Sequence, residues 1–176
     1  MVTPSQLDLQ TWAQNKVTAL YSAETDEQLK QAFESTFTPS VHIKMNSEPM
    51  NREDLKSDLV QRRAAAASSA VEWDNAEFKA KDEQTPDDVP HIQAGTFNGS
   101  FTVKRSMKYR IRAAPAQLHT IITWNAQIEK DSSVAADPGN AYRIVDLALT
   151  YEDTRPPIHF QQPRALQEGN NEAGLD

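Results

Sequence analysis

A chain of 176 residues with 18 Lys and Arg against 25 Asp and Glu, net charge −7 and no cysteine, is the size of one domain. The acidity argues against nonspecific nucleic-acid binding, which needs a basic face to displace phosphate counterions, and the missing cysteine excludes thiolate catalysis, thiolate zinc sites and disulfides. Glycine is scarce, at 5 residues, and no Gly-rich phosphate loop of either common spacing is present.

The first ten residues, MVTPSQLDLQ, hold no apolar core of signal-peptide length, and Asp8 sits where one would be. No stretch approaches the roughly 18 uninterrupted apolar residues of a membrane span. The expectation is a soluble, cytoplasmic protein that neither enters a membrane nor binds nucleic acid.

Residues 5–22 read as the first helix: Ser5 can cap it after Pro4, and Asp8 lies in the first turn, where the helix dipole favours an anion. Leu9, Trp12, Ala13, Val17, Leu20 and Tyr21 repeat at three- and four-residue spacing and make one apolar stripe. A second helix runs from about Thr25 to Phe37, capped by Thr25 or Asp26, with Leu29, Ala32, Phe33 and Phe37 on its buried side and Pro39 ending it. VHIKM at 41–45 is a short β-like run. The third helix covers about 52–68, with Asn51 as cap and Leu55, Leu59 and Val60 inward. Its AAAASSA run continues it with small side chains that would let the helix lie close to a sheet.

From Val71 the period changes to two. In 71–83, Val71 and Trp73 fall on one parity, and Ala76, Phe78 and Ala80 on the other, which a bulge near Asp74–Asn75 would reconcile. Residues 84–90 form a Pro- and Asp-rich turn. Residues 91–113 are one bent strand or two, with Gly95 and Gly99 allowing a sharp bend and Met107, Tyr109 and Ile111 inward. The central strand is 117–130. Leu118, Thr120, Ile122, Trp124, Ala126 and Ile128 share one face, while His119, Thr123, Asn125, Gln127 and Glu129 share the other. After an exposed loop at 131–140, residues 141–153 form the last strand. Being apolar on both parities, it is expected to be covered on both faces, which argues for a homodimer pairing sheet faces. The domain therefore spans 1–154. Residues 155–176, proline-broken and aperiodic, form a flexible or surface-docked tail.

Helices followed by a meander of long antiparallel strands is an α+β layout in which a bent sheet wraps the helices. Two passages carry a family likeness: FESTFTPSVHIKMNSEPMNREDL (33–55), and WNAQIEK with YRIVDLALTYED (124–153). They resemble the nuclear transport factor 2-like superfamily, in its SnoaL-like branch, over about residues 5–153. The resemblance implies a cone: three N-terminal helices packed in the concave face of a strongly bent, mostly antiparallel sheet, with an internal pocket. It also implies frequent dimerisation through the sheet. Members include dehydratases, isomerases, cyclases and epoxide hydrolases as well as non-catalytic binders, so the fold leaves the function open.

Enzymes of that superfamily use a pocket Asp, His or Tyr for proton transfer. Here Asp146 interrupts an apolar strand between Val145 and Leu147 and is the carboxylate candidate; the competing reading turns it outward to solvent or a partner. His119, on the polar parity of the central strand, is the second catalytic candidate, and equally a structural histidine. His42 lies near the expected mouth of the cone. Trp73, Tyr109 and Trp124 stand where they would wall a pocket, or simply fill a core. Asn98 and Asn125 are further possible donors, and His91 and His159 flank loops. The four histidines show no metal-ligand spacing, so no metal is expected, and nothing points to a cofactor. The cations of KRSMKYRIR (104–112) are expected mostly outward. Two functions remain open: a pocket protein binding a small hydrophobic ligand, and a cofactor-free lyase or isomerase using a pocket Asp or His.

Overall fold

The alternation at 117–130 becomes the strand against which the sheet is ordered. The computed structural model describes residues 6–81, 94–111, 114–131 and 141–155. The Ser5 cap, the turn at 84–90, the loop residues 132–140, His91, His159 and the tail beyond Arg155 lie outside the described residues. The elements are α1 (Gln6–Ser22), α2 (Asp26–Thr36), β1 (Phe37–Met45), β2 (Glu48–Met50), α3 (Arg52–Ala65), β3 (Ala66–Ala80), β4 (Ala94–Ile111), β5 (Ala114–Lys130) and β6 (Tyr142–Thr154). They form an α+β fold with a curled six-stranded sheet in the order β2-β1-β6-β5-β4-β3, so β5 lies inside it. Neighbours are antiparallel except β1 and β6, which run parallel.

Local chemistry sets the helix starts. Thr25 Oγ1 accepts from Gln28 N–H at 3.2 Å while Gln28 Oε1 accepts from Thr25 N–H at 3.3 Å, a reciprocal box that decides between Thr25 and Asp26. Asn51 Oδ1 accepts from Asp54 N–H at 2.8 Å and starts α3. The ends are where sequence and structure differ. Phe37 is already extended, so α2 stops at Thr36, and β1 passes through Pro39 instead of beginning after it. The alanine-rich run does not continue α3: the helix stops at Ala65, and Ala66 to Ala70 pair with Met107 to Lys104 of β4. Alanine favours a helix by a few tenths of a kcal/mol over its rivals, and a strand's worth of ladder outweighs that.

Within the described part of 91–113, residues 94–111 are a single strand of 18 residues. The bulge expected near Asp74 is present, as pairing with β4 slips between Trp73 and Asn75. A second slip explains the doubly apolar β6: the β5 register shifts between Gln127 and Ile128, opposite Asp146 and Ile144. Ile144, Leu147 and Leu149 therefore all point inward, while Asp146, Ala148 and Thr150 are exposed. A bulge, not a second covering layer, accounts for its two apolar parities.

The inward face of the sheet meets the α1 stripe in one cluster that includes Leu9, Ala13, Val17, Leu20 and Tyr21 with Ile122, Trp124, Ala126 and Ile128. Its centre is aromatic. Trp124 packs on Tyr21, Phe37 and Phe101 at centroid distances of 6.1, 6.3 and 6.3 Å, and Trp73 on Phe101 at 4.6 Å. The β4 glycines serve this packing: the Phe78 ring lies over Gly95 and the Trp73 ring over Gly99. A Cβ at Gly95 would meet the Phe78 ring and come within 2.6 Å of the Lys79 carbonyl oxygen, which is backbone and cannot swing away. Gly95→Ala should thus cost about 1–3 kcal/mol in urea unfolding. A midpoint equal to that of the parent would refute this account of β4.

Candidate functional site

The helix-to-strand change at Ala65–Ala66 leaves a gap in the packing. Ala66, Ala67 and Ser68 are too small to fill it, and the end of α1, the link after it and α3 close around it. The result is a cavity of about 370 Å³ lined by Leu20, Tyr21, Leu59, Arg63, Ser69 and Arg105 as well as those small residues. That volume falls within the range of small-molecule sites. Glu24 stands exposed at its edge.

Beside the cavity a polar network runs from the buried Arg105 and Thr120 out to the partly exposed Arg62, Asp58 and Asp153. Arg105, 4% exposed, donates from Nη1 to Thr120 Oγ1 at 3.0 Å. Thr120 donates to Asp153 Oδ1 at 2.6 Å, and Arg62 Nη1 donates to the same carboxylate at 3.3 Å. Arg62 Nε reaches Asp58 at 2.9 Å, and its guanidinium lies 4.6 Å over the Tyr151 ring. The Tyr21 and Tyr151 hydroxyls share a hydrogen bond of 2.6 Å. Arg63 is held by Asp26 at 2.6 Å and donates to the Glu24 carbonyl at 3.0 Å, leaving its buried Nε–H without an acceptor among the described residues.

Burial sets the electrostatics. It pulls the Arg105 guanidinium below its ordinary value, and the neighbouring Arg62 charge adds to this. Burial acts the same way on Arg62, but there the Asp58 and Asp153 carboxylates outweigh it and the net direction is up. Both phenols are pushed up, Tyr21 by burial and then by Tyr151, and Tyr151 by burial.

No family model and no curated protein matches the chain. Solved structures do match in shape. A protein of Kribbella flavida, Kfla4162, aligns with TM-score 0.60 and 9% identity over 86% of this chain and 95% of its own. A candidate scytalone dehydratase of Novosphingobium aromaticivorans aligns with TM-score 0.57 and 7% identity over 87% and 88%. A type 2 hexachlorocyclohexane dehydrochlorinase, LinA, aligns with TM-score 0.55 and 10% identity over 92% and 100%. The fold is nuclear transport factor 2-like. At these identities the likeness concerns the fold alone.

Within this nuclear transport factor 2-like cone the sequence candidates separate into two groups. Trp73 and Trp124 belong to the aromatic core. Trp73 Nε1 donates to Thr18 Oγ1 at 3.1 Å, and the Trp124 Nε1–H has no acceptor among the described residues. Neither is among the residues that wall the cavity at Arg105, and the Tyr109 side chain lies outside the described residues. His42 and Asp146 are both exposed and face each other in register across β1 and β6. His119 is half-buried on the outer parity, opposite Lys104, and Asn125 donates to Asn98 across the same outer face.

The residues that meet at the cavity are not among the sequence candidates. Arg105 shares the inward parity of Phe101, Val103 and Met107, so its direction was readable, though the basic cluster around it suggested a solvated strip. Tyr21 was read only as core, since its partner Tyr151 is 130 residues away. The raised phenols give a sign-definite pH dependence. Unfolded tyrosines titrate near pH 10, so above that pH the unfolded chain has lost protons that the folded chain keeps, and stability falls as pH rises. The urea midpoint should lose stability above about pH 10, and Tyr151→Phe should make that fall shallower by removing one such group. Equal slopes for both proteins would show that Tyr151 titrates freely in the fold.

Proposed function

We propose that the protein binds a small molecule in the cavity between α1, α3 and β3, with a mixed polar and apolar lining that suits an amphipathic ligand more than a purely hydrophobic one. The observation that carries this is a preformed space of about 370 Å³ with a buried guanidinium and a tyrosine in its wall. A protein without a ligand would gain by filling such a space with larger side chains than Ala66, Ala67 and Ser68.

Catalysis of lyase or isomerase type is the second reading. It draws on the paired Tyr21 and Tyr151 hydroxyls and on Arg105, donors of the kind that stabilise a developing oxyanion. Two of the structural neighbours are named for eliminations, a dehydrochlorinase and a candidate dehydratase. Against it, the one carboxylate among the cavity-lining residues is the exposed Glu24, and no histidine lines the cavity, so no buried general base faces it among the described residues. Binding is therefore the function proposed.

A thermal-shift screen tests it. A ligand at a hundredfold excess over its Kd stabilises by about 2.7 kcal/mol, which for a chain of this size is about 5–10 °C. Ser68→Phe, which fills the cavity from β3, should abolish those shifts and leave the protein folded. Hits that survive Ser68→Phe would place binding elsewhere.

The homodimer is proposed through the outer sheet face, where Ile121 is 38% exposed. Light scattering should then give twice the 19.7 kDa of one chain, and a mass of one chain at every concentration would refute it.

A further inference from the structure

Of the two arginines in the cavity wall, Arg63 is paired with Asp26, and Arg105 has no direct counter-ion among the described residues. Among the described residues Arg105 has one hydrogen-bond partner, the neutral Thr120 hydroxyl, and no carboxylate forms an ion pair with it. The nearest acid in its network, Asp153, is reached through Thr120 and is already in an ion pair with Arg62. On the α3 side, Arg63 has its Nη groups committed to Asp26 and to the Glu24 carbonyl, while its buried Nε–H has no acceptor. Both arginines line the cavity. A guanidinium taken out of water needs an anion or a full set of acceptors. Asp26 supplies the anion for Arg63, while the described side chains supply neither for Arg105.

Leu20, Leu59, Ala23 and Ala66 complete the lining with apolar surface. We propose that the ligand is a small carboxylate with a short apolar body, its head on Arg105 and within the field of Arg63, an inference that rests on the cavity being the binding site. A planar carboxylate matches the fork of a guanidinium and needs only one negative charge. A doubly charged phosphate would meet Glu24 at the mouth and Asp153 behind Thr120, which disfavours it.

The test compares carboxylates with their neutral amides on the intact protein: trans-cinnamate against cinnamamide, and hexanoate against hexanamide, by thermal shift and calorimetry. The expected result is that the carboxylates bind and the amides bind at least tenfold more weakly. Arg105→Gln should weaken the carboxylates by about 10- to 100-fold, the range for a lost charged hydrogen bond, and the amides by less, so that the ratio between them falls. Arg105→Lys, which keeps the charge, should restore part of the affinity. If Arg105 only tied strands together, Arg105→Gln would lower the melting temperature without altering the ratio of carboxylate to amide. The comparison on the parent protein needs no variant, so a misfolded Arg105→Gln leaves the proposal open to refutation. Amides binding as well as carboxylates would overturn the anionic assignment and leave the cavity standing as a site. Failure of all four compounds would also overturn it, while the Ser68→Phe screen judges the cavity separately.

Discussion

A guanidinium that is 4% exposed must be held from inside the protein, and Arg105 is held through Thr120, Asp153 and Arg62. Those residues belong to β4, β5, β6 and α3. The chain of contacts therefore ties three adjacent strands to α3, and Asp58 anchors the helix side at 2.9 Å. Arg105 and Thr120 are the buried members of this network, Arg62 and Asp153 being partly exposed, and removing a hydrogen-bond partner from a buried polar group costs about 1–3 kcal/mol. The position of the α3 end, and with it the mouth of the cavity, depends on this network.

The cavity and the aromatic core are two parts of one arrangement. Tyr21 belongs to both: its ring packs on Phe101 and Trp124, and its hydroxyl meets Tyr151. On the core side, rings fill the cone; on the other, Ala66, Ala67 and Ser68 leave it open. The change from large to small side chains falls where α3 becomes β3. The outer face of the sheet is different in kind, with His42, Asp146, Asn125 and Ile121 facing away from the core. Function in this fold is set by which side chains project into the space, not by the fold itself.

The periodic parts of the chain were legible. The α1 stripe, the inward face of β5 and the bulge at Asp74 follow from spacing alone, because one buried face imposes its period on the sequence. The end of α3 was not legible, since four alanines favour a helix locally and only pairing with β4 makes Ala66 extended. Nor was the direction of Asp146 and Asp153. The bulge opposite Gln127 and Ile128 shifts the parity of β6, and one slipped residue exchanges the two faces. Arg105 carried a readable signal in its parity, but that signal was outweighed by the cations around it. The candidate site lies where tertiary pairing overrode local preference, which is why it could not be assembled from motifs.

Whether the space beside Arg105 holds a ligand is read from a crystal grown with trans-cinnamate. Density is expected in the cavity between Leu59 and Arg105, with the carboxylate about 2.7–2.9 Å from the guanidinium nitrogens. A cavity containing only water, with cinnamate bound elsewhere or absent, would contradict this expectation.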